Sequence, residues 1–434
     1  MNRLPSGWAA TQIGELCSLV NGRAFKPDDW TEVGLPIIRI QNLNRPDAAF
    51  NHFNGPVQEK FLVKNGDLLF AWSGTPGTSF GAHVWGGSDA ILNQHIFNVR
   101  FDERAIDKTF FRYAINQTLD EQIAKAHGGV GLRHVTKGKF EETAIGLPPL
   151  PEQRRIVAKI DSLSAKSKRA RDHLDHIPCL VEKYKQAILA AAYSEAQGLA
   201  IESATLGAVA LEVRNGLSKK PSDEPSGPPI LRISAVRPLN VRLNDVRYYP
   251  EAIPANSILR NGDLLFTRYN GNADLVAVCG MVRGLTRDTA YPDKLIRVRL
   301  SDAVDPKFCE LVCAAPGSRE WLAPHIKTAA GQHGISGADL KRLPIPLPLL
   351  TSQRGIVHRV EITFAWIDRI AAEATSARKL IDHFDQAVLA KAFRGELVPQ
   401  DPNDEPASVL LERIKAERQS KPVKAPRASR RTAN

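Results

Sequence analysis

Leu147-Pro148-Pro149-Leu150-Pro151-Glu152-Gln153-Arg154-Arg155-Ile156-Val157 returns, 200 residues on, as Leu347-Pro348-Leu349-Leu350-Thr351-Ser352-Gln353-Arg354-Gly355-Ile356-Val357. At the same offset, Tyr184-Lys185-Gln186-Ala187-Ile188-Leu189-Ala190-Ala191-Ala192-Tyr193 returns as Phe384-Asp385-Gln386-Ala387-Val388-Leu389-Ala390-Lys391-Ala392-Phe393. Two gapless blocks at one spacing mark an internal duplication. Looser landmarks precede them at offsets of 193 to 196: Asn21-Gly22 with Asn215-Gly216, Pro36-Ile37-Ile38-Arg39-Ile40 with Pro229-Ile230-Leu231-Arg232-Ile233, and Asn65-Gly66-Asp67-Leu68-Leu69-Phe70 with Asn261-Gly262-Asp263-Leu264-Leu265-Phe266. The chain therefore reads as two tandem copies of one unit, each a globular segment followed by a helical one. The boundaries are 1–146 and 147–198, then 199–346 and 347–398, with a C-terminal extension over 399–434 that carries a basic tail expected to be disordered.

The helical segments carry a heptad stripe. Steps of four and three from Ile156 meet Ile160, Leu163, Ser167, Ala170, Leu174, Ile177, Val181, Tyr184, Ile188 and Ala191. The same steps from Ile356 meet Val360, Thr363, Ile367, Ile370, Ala374, Ala377, Ile381, Phe384, Val388 and Lys391. Mostly apolar positions at this spacing are the sequence form of a coiled coil. One amphipathic helix cannot bury its stripe in water, so the two copies are expected to pair, antiparallel. Pro178 lacks a backbone donor, which predicts a kink or a break there. Leu180, Leu380, Leu189 and Leu389 fall outside the stripe and are expected to face outward.

The globular segments look mixed α/β. Pro36 to Ile40, Asp67 to Ala71 and Ile91 to Arg100 read as strands after Gly or Pro punctuation. Phe110 to Lys125 and Pro306 to Ala314 have helical spacing, and the two Asn-Gly-Asp triplets read as turns feeding a strand.

Composition excludes several classes. No run of about 18 apolar residues is present, so no membrane span is expected, and the first residues lack the apolar stretch of a secretory signal. Cys17, Cys179, Cys279, Cys309 and Cys313 form no C-x-x-C pair, which fits a reducing, cytoplasmic setting and buried small hydrophobes. His173 and His176 lie on a charged helix face. The formal charge of +11 is uneven: Lys415, Arg418, Lys421, Lys424, Arg427, Arg430 and Arg431 stand against Glu417 alone, so the last stretch holds more than half of the excess. Such a run marks a polyanionic partner or a merely solvated end.

Catalytic signatures are missing. There is no phosphate-binding P-loop, and Gly129-Val130-Gly131 is a loop signal rather than a dinucleotide fingerprint. No Asn-Pro-Pro-aromatic motif for a flipped base, no acidic nuclease cluster, and no H-E-x-x-H or G-x-S-x-G occurs. What remains is polar, basic and aromatic: Arg23, Lys26, Trp72, Ser73, Arg133, His134 and Lys137 in the first copy, Lys219, Lys220, Arg268, Tyr269, Asn270, Gln332 and His333 in the second. These residue types hold phosphates or read base edges. Taken singly, each is more often an ordinary solvated loop side chain, so only the collective pattern points to nucleic acid.

The two helix-start motifs, the Gln186-Ala187-Ile188-Leu189 and Gln386-Ala387-Val388-Leu389 segments, Ala392-Phe393-Arg394-Gly395-Glu396-Leu397-Val398-Pro399, and Asp401-Pro402-Asn403-Asp404-Glu405-Pro406-Ala407-Ser408 together resemble the specificity subunit of type I restriction–modification systems, over nearly the whole chain. The resemblance implies two target-recognition domains, one for each half of a bipartite DNA sequence, separated by an antiparallel helical spacer. It implies no catalytic activity in this chain and no cofactor of its own; AdoMet, ATP and Mg2+ would sit on partner subunits. Methylation subunits (two of them) and restriction subunits would dock on the helices. The residues themselves leave two rivals open: a coiled-coil adaptor that binds only proteins, and a fused methyltransferase or nuclease with degenerate motifs.

Overall fold

The computed structural model describes residues 4–45, 48–73, 80–125, 136–225, 227–329 and 331–420. Five helices organise it: α1 (Lys108–Lys125), α2 (Leu150–Leu199), α3 (Pro306–Ala314), α4 (Leu350–Phe393) and α5 (Ala407–Ser420). Two compact units form, one of Met1–Asp172 with Arg378–Asn434, the other of His173–Ala377. These compact units do not coincide with the sequence repeats, because the divisions fall inside α2 and α4 and not at the starts of the helices.

The first unit is built on a four-stranded antiparallel sheet of β1 (Cys17–Asn21), β2 (Leu68–Ala71), β3 (Gly81–Val84) and β4 (Ile96–Phe101), ordered β1-β4-β2-β3. A second small sheet joins Asn51–Phe53, Leu35–Ile38, Ala90–Leu92 and Leu62–Val63. Phe70, Phe110, Phe111 and Phe140 are wholly buried between the main sheet and its helices. On the edge strand β3, the Ala82 N–H donates to Asn116 Oδ1 (2.7 Å), and Asn116 Nδ2 donates to the Ala82 carbonyl (3.1 Å). The amide of α1 thus occupies a backbone edge that would otherwise be open to a stray strand.

The second unit repeats this plan with β5 (Ala210–Asn215), β6 (Leu264–Thr267), β7 (Tyr269–Asn270), β8 (Cys279–Met281), β9 (Leu295–Leu300), β10 (Lys327–Ala329) and β11 (Gln332–Gly334). The main sheet is ordered β5-β9-β6-β8, and a three-stranded sheet is ordered β7-β11-β10. Its edge strand is guarded by a different chemistry. The buried Glu310 carboxylate of α3 accepts from the Met281 N–H (2.7 Å) and pairs with Arg283 (2.6 Å) and Lys307 (2.7 Å). Two cations and a backbone donor compensate that buried charge.

The best-conserved stretch between copies owes its likeness to one buried side chain. Gln153 and Gln353 are fully buried. Gln153 donates to the Pro148 carbonyl (2.9 Å) and accepts from the Asp107 N–H (2.8 Å). Gln353 donates to the Pro348 carbonyl (2.9 Å) and accepts from the Asp305 N–H (2.9 Å). Asp107 and Asp305 in turn accept from the first turns of α1 and α3, at 2.9 Å from Phe110 N and 3.1 Å from Phe308 N. A single glutamine therefore fastens each long helix to the start of its neighbour.

Each unit contains an antiparallel pair made from parts of α2 and α4. In the first, Ser167 donates to Asp385 (2.6 Å), and Arg171 reaches Asp382 (3.1 Å) and Asp385. In the second, Lys185 pairs with Asp368 and Arg359 with Glu195, so residue numbers fall on one helix as they rise on the other. Exposed pairs of this kind contribute about 0–1 kcal/mol. The apolar stripe does more of the holding. Ile156, Ile160, Ile356, Val360, Ile367 and Val388 are buried; Leu163, Leu174, Ile177, Val181, Ile188, Ile370 and Ile381 are half-buried.

The structure departs from the sequence reading at five places. Tyr184 and Phe384 face solvent, 62% and 47% exposed, while Lys185 and Asp385 turn inward. An α-helix drifts about 20° per heptad against a strict seven-residue repeat, so after several heptads the buried stripe moves on by one residue. Leu189, expected outside, is buried for the same reason, and Leu389 is partly buried against the first unit's core. Of the kink or break expected at Pro178, the break does not occur: α2 runs on through that residue. The expected strand to Ile40 ends at Ile38 and gives way to a helical turn over Ile40–Asn44. Ile91 to Arg100 is two strands, Ala90–Leu92 and β4, parted by a turn. Residues 407–420 of the C-terminal extension form α5, whose Ala407, Leu410, Leu411 and Ile414 are buried in the first unit's core; the basic tail beyond it lies outside the described residues.

Candidate nucleic-acid interface

The Asn-Gly landmark marks one end of the main sheet in each unit. After β1, the Gly22 N–H donates to the Ile96 carbonyl (3.2 Å) and the Arg23 N–H to the Leu92 carbonyl (2.8 Å). After β5, the Gly216 N–H donates to Leu295 (3.3 Å) and the Leu217 N–H to Tyr291 (2.9 Å). Arg23 bridges Asn93 and Leu217 bridges Pro292, both in parallel fashion. A Cβ on Gly22 would stand 2.1 Å from the Asn93 carbonyl oxygen, and one on Gly216 2.1 Å from that of Tyr291. Only glycine lets the chain turn this closely over the central strand.

This backbone places unlike side chains at matching points. In the first unit Trp72 follows β2 and lies against His95 (ring centroids 5.3 Å apart) and Phe97 (6.2 Å). Arg23 is held over the Phe53 ring at 4.4 Å and the Phe25 ring at 5.1 Å, with Asp29 3.6 Å away. That positions its guanidinium by cation–π contact and leaves it partly exposed. Ser73 is half-buried next to Trp72, and Lys26 is exposed at the start of the short turn Pro27–Asp29. Lys137 lies at the start of the helical turn Lys137–Glu141, 3.4 Å from the Leu19 carbonyl and 3.6 Å from Glu141. Arg133 and His134 lie outside the described residues.

In the second unit, strand pairing gathers residues far apart in sequence: Tyr269 opposes Gly334, and Asn270 opposes His333. Arg268 stacks over Tyr269 (4.7 Å) and reaches the Asp293 carbonyl at 3.4 Å. Gln332 is exposed at the β10–β11 turn, and the His333 ring is 2.9 Å from Thr328 Oγ1. Arg268, Tyr269, Asn270, Gln332 and His333 thus share one ledge. Lys219 does not join them; it is paired with Glu251, which raises its pKa, while Lys220 is exposed.

Sequence reasoning missed the turn before the central strand: Asn93-Gln94-His95 in the first unit, Pro292-Asp293-Lys294 in the second. His95 and Lys294 are exposed there. The signal was a polar triplet inside an apolar run, hidden by reading that run as one strand.

These ledges offer hydrogen-bond donors, acceptors, cations and rings. No group of three His, Cys, Asp or Glu suited to a metal exists among the described residues. Burial holds Cys17 protonated, with its pKa pushed up to about 12. Cys309 and Cys313 are likewise raised, by contact between thiols and by burial. No helix among the described residues is long and apolar enough to cross a membrane. The side chains on these ledges are of the types that recognise a polar or anionic partner.

Comparison with known proteins gives the chain its family. Residues 5–174 match the family described as type I restriction modification DNA specificity domain. The chain is 32% identical to the EcoKI specificity subunit of Escherichia coli (strain K12), covering 96% of each. It is 27% identical to the EcoBI specificity subunit of Escherichia coli, covering 95% of this chain and 92% of that one. It is 28% identical to the StySPI specificity subunit of Salmonella potsdam, covering 96% and 97%. The fold is also that of the HsdS subunit from Thermoanaerobacter tengcongensis, with a TM-score of 0.59, 20% identity, and 91% and 98% coverage. A chain solved in work on complex assembly and conformational transition of the type I R-M system gives a TM-score of 0.65 at 19% identity, covering 92% of this chain and all of that one. The chain belongs to the specificity subunits of type I restriction–modification systems, which recognise DNA and are themselves non-catalytic.

Proposed function

We propose that this chain reads a bipartite DNA target, one half-site for each globular segment, and organises the subunits that act on it. The observation that carries this reading is the duplicated sheet end: one backbone, fixed by Gly22 and Gly216, presents Arg23, Trp72 and His95 in one unit and Leu217, Arg268 and Lys294 in the other. Such a scaffold suits two different base sequences. Arg23, Lys26, Trp72, Ser73, Lys137, Lys220, Arg268, Tyr269, Asn270, Gln332 and His333 are the contact set, with Arg133 and His134 added from the sequence. Phosphate contacts supply salt-dependent affinity, and each good bidentate base contact supplies about 1–3 kcal/mol of discrimination.

The target-recognition segments are 1–146 and 199–346; the helices between and after them are an antiparallel coiled-coil spacer that sets the unread gap. Leu180 with Tyr184, and Leu380 with Phe384, are exposed at the same repeat positions. Twin apolar patches of this sort fit two copies of one partner, the methylation subunit, with restriction subunits joining the same helices. AdoMet, ATP and Mg2+ belong to those partners, and the assembly works in the cytoplasm. Deleting one heptad from both α2 and α4 shortens the spacer by about 10 Å. The gap between half-sites then changes; an unaltered gap refutes the spacer role.

A further inference from the structure

We propose that Arg268 reads a guanine of the second half-site from the major groove, and that Tyr269 and Gly334 hold its guanidinium in the reading plane. The proposal rests on the bipartite-recognition reading and deepens it, by assigning one base to one side chain.

Arg268 lies in the one-residue step between β6 and β7, and its backbone is pinned on both sides. Its N–H donates to the Lys294 carbonyl (2.8 Å), and its own carbonyl accepts from the Ile335 N–H (3.0 Å). The side chain is laid over the Tyr269 ring, with Cζ 4.7 Å from the centroid. That ring in turn presses on Gly334, the residue it opposes across the strand pair. A Cβ on Gly334 would stand 2.5 Å from Tyr269 Cδ1 and 2.6 Å from Cε1. Bare backbone therefore supports the ring, and the ring supports the guanidinium. Holding a long side chain in place beforehand removes much of the entropy cost of binding.

The charge so held is uncommitted. Within the same unit Arg283 pairs with Glu310, Arg297 with Glu212 and Arg299 with Asp263. Among the described residues Arg268 meets no carboxylate; Nη1 reaches only the Asp293 carbonyl, at 3.4 Å, and the buried Nε has no hydrogen-bond partner. With Nε covered, the terminal Nη1 and Nη2 are the donors left for a ligand. A planar fork held by stacking matches two acceptors in one plane, and guanine O6 and N7 are that pair on the major-groove edge. The amides of Asn270 and Gln332 share the ledge, and amides are also base-reading groups. In the first unit Trp72 occupies the corresponding place and offers a single N–H donor. The guanine contact thus belongs to the second half-site.

The test uses the complete chain assembled with its methylation subunit. Binding is titrated on a duplex bearing the motif methylated in cells, and on duplexes in which each guanine of the motif is replaced in turn by 7-deazaguanine. That base still pairs with cytosine but has carbon in place of N7. One replacement is expected to weaken the parental complex about 10-fold and to leave the Arg268→Ala complex unchanged, the non-additive result of a shared contact. In cells Arg268→Ala is expected to relax that one position of one block, with discrimination down about 5- to 150-fold, and to leave the other block as it was. Tyr269→Leu keeps the arginine and removes its support; it should relax the same position by a smaller factor. Relaxation elsewhere, or none, overturns the positioning role. The guanine assignment is overturned if no guanine is sensitive, or if Arg268→Ala weakens all duplexes alike with a salt slope shallower by about 0.9, the mark of a phosphate contact. A parental complex that does not distinguish duplexes with and without the motif would sink the bipartite reading instead, a separate outcome of the same titrations.

Discussion

The two main sheets differ most where they are built most alike. Both carry, at the Asn-Gly that ends their first strand, a glycine pressed onto the backbone that leads into the central strand. Both also have the Asn-Gly-Asp turn, with φ of +89° at Gly66 and +90° at Gly262. In it Asp67 and Asp263 accept from the backbone N–H of Lys64 (3.0 Å) and Arg260 (2.7 Å). Yet Trp72 stands where the other unit has Arg268, and His95 where it has Lys294. Away from the ledge the cores also diverge: Asn98 meets Asp67 at 3.1 Å, whereas its counterpart Arg297 is fully buried against Glu212. The comparison teaches that what the copies share is backbone geometry, and what they vary is the chemistry displayed on it.

The equivalence breaks first at the glycines. Gly22→Ala or Gly216→Ala drives a methyl group to 2.1 Å from a carbonyl oxygen. The strand end must shift, at a cost of about 1–3 kcal/mol or more. Each variant is expected to abolish reading of its own half-site and leave the other domain folded, as hydrogen exchange resolved by unit will report. Gln153→Ala and Gln353→Ala each strand a buried N–H and a buried carbonyl, costing about 3 kcal/mol. Urea unfolding followed unit by unit should show closely similar losses; a large loss in one unit only contradicts the shared fastening role.

Smaller effects sharpen the contrast. Gln94→Ala and Gln332→Ala remove amides from different ledges, and each is expected to relax one base position in one block of the methylated motif, worth about 1–3 kcal/mol. The smallest effect is one of pH. Burial raises the Glu152 pKa above its ordinary value, although Trp8 and Gln400 donate to it. A carboxyl with a raised folded pKa favours the folded state when protonated, so its contribution is lost as pH rises through that folded value. Glu152→Gln therefore gains stability relative to the parent above this range and not below the unfolded value near 4.5. The matching position in the other copy is Ser352, so thermal melts of the second unit should show no such dependence.

Much of this was legible in the sequence for physical reasons. The helix starts repeat because a buried glutamine admits no substitute, and Asn-Gly repeats because nothing larger than a hydrogen fits. The stripe was readable along both helices to Ile188 and Val388 except at Tyr184 and Phe384, where helical drift turns the next residue, Lys185 or Asp385, inward instead. Helix α5 was concealed because charges surround the few apolar residues, Leu410, Leu411 and Ile414, that dock it. The ledge was half visible: Arg268, Tyr269 and Asn270 stood out, but only strand pairing brings Gln332 and His333 to them. Asn93, Gln94 and His95 emerged only once the turn between two strands was seen.

The most direct measurement is a long-read methylome of cells expressing this chain with its methylation subunit. The account predicts a new methylated motif of two short blocks separated by a fixed gap, with each block responding to changes in one ledge. A single continuous motif, or none despite a purified complex of the two proteins, would contradict it.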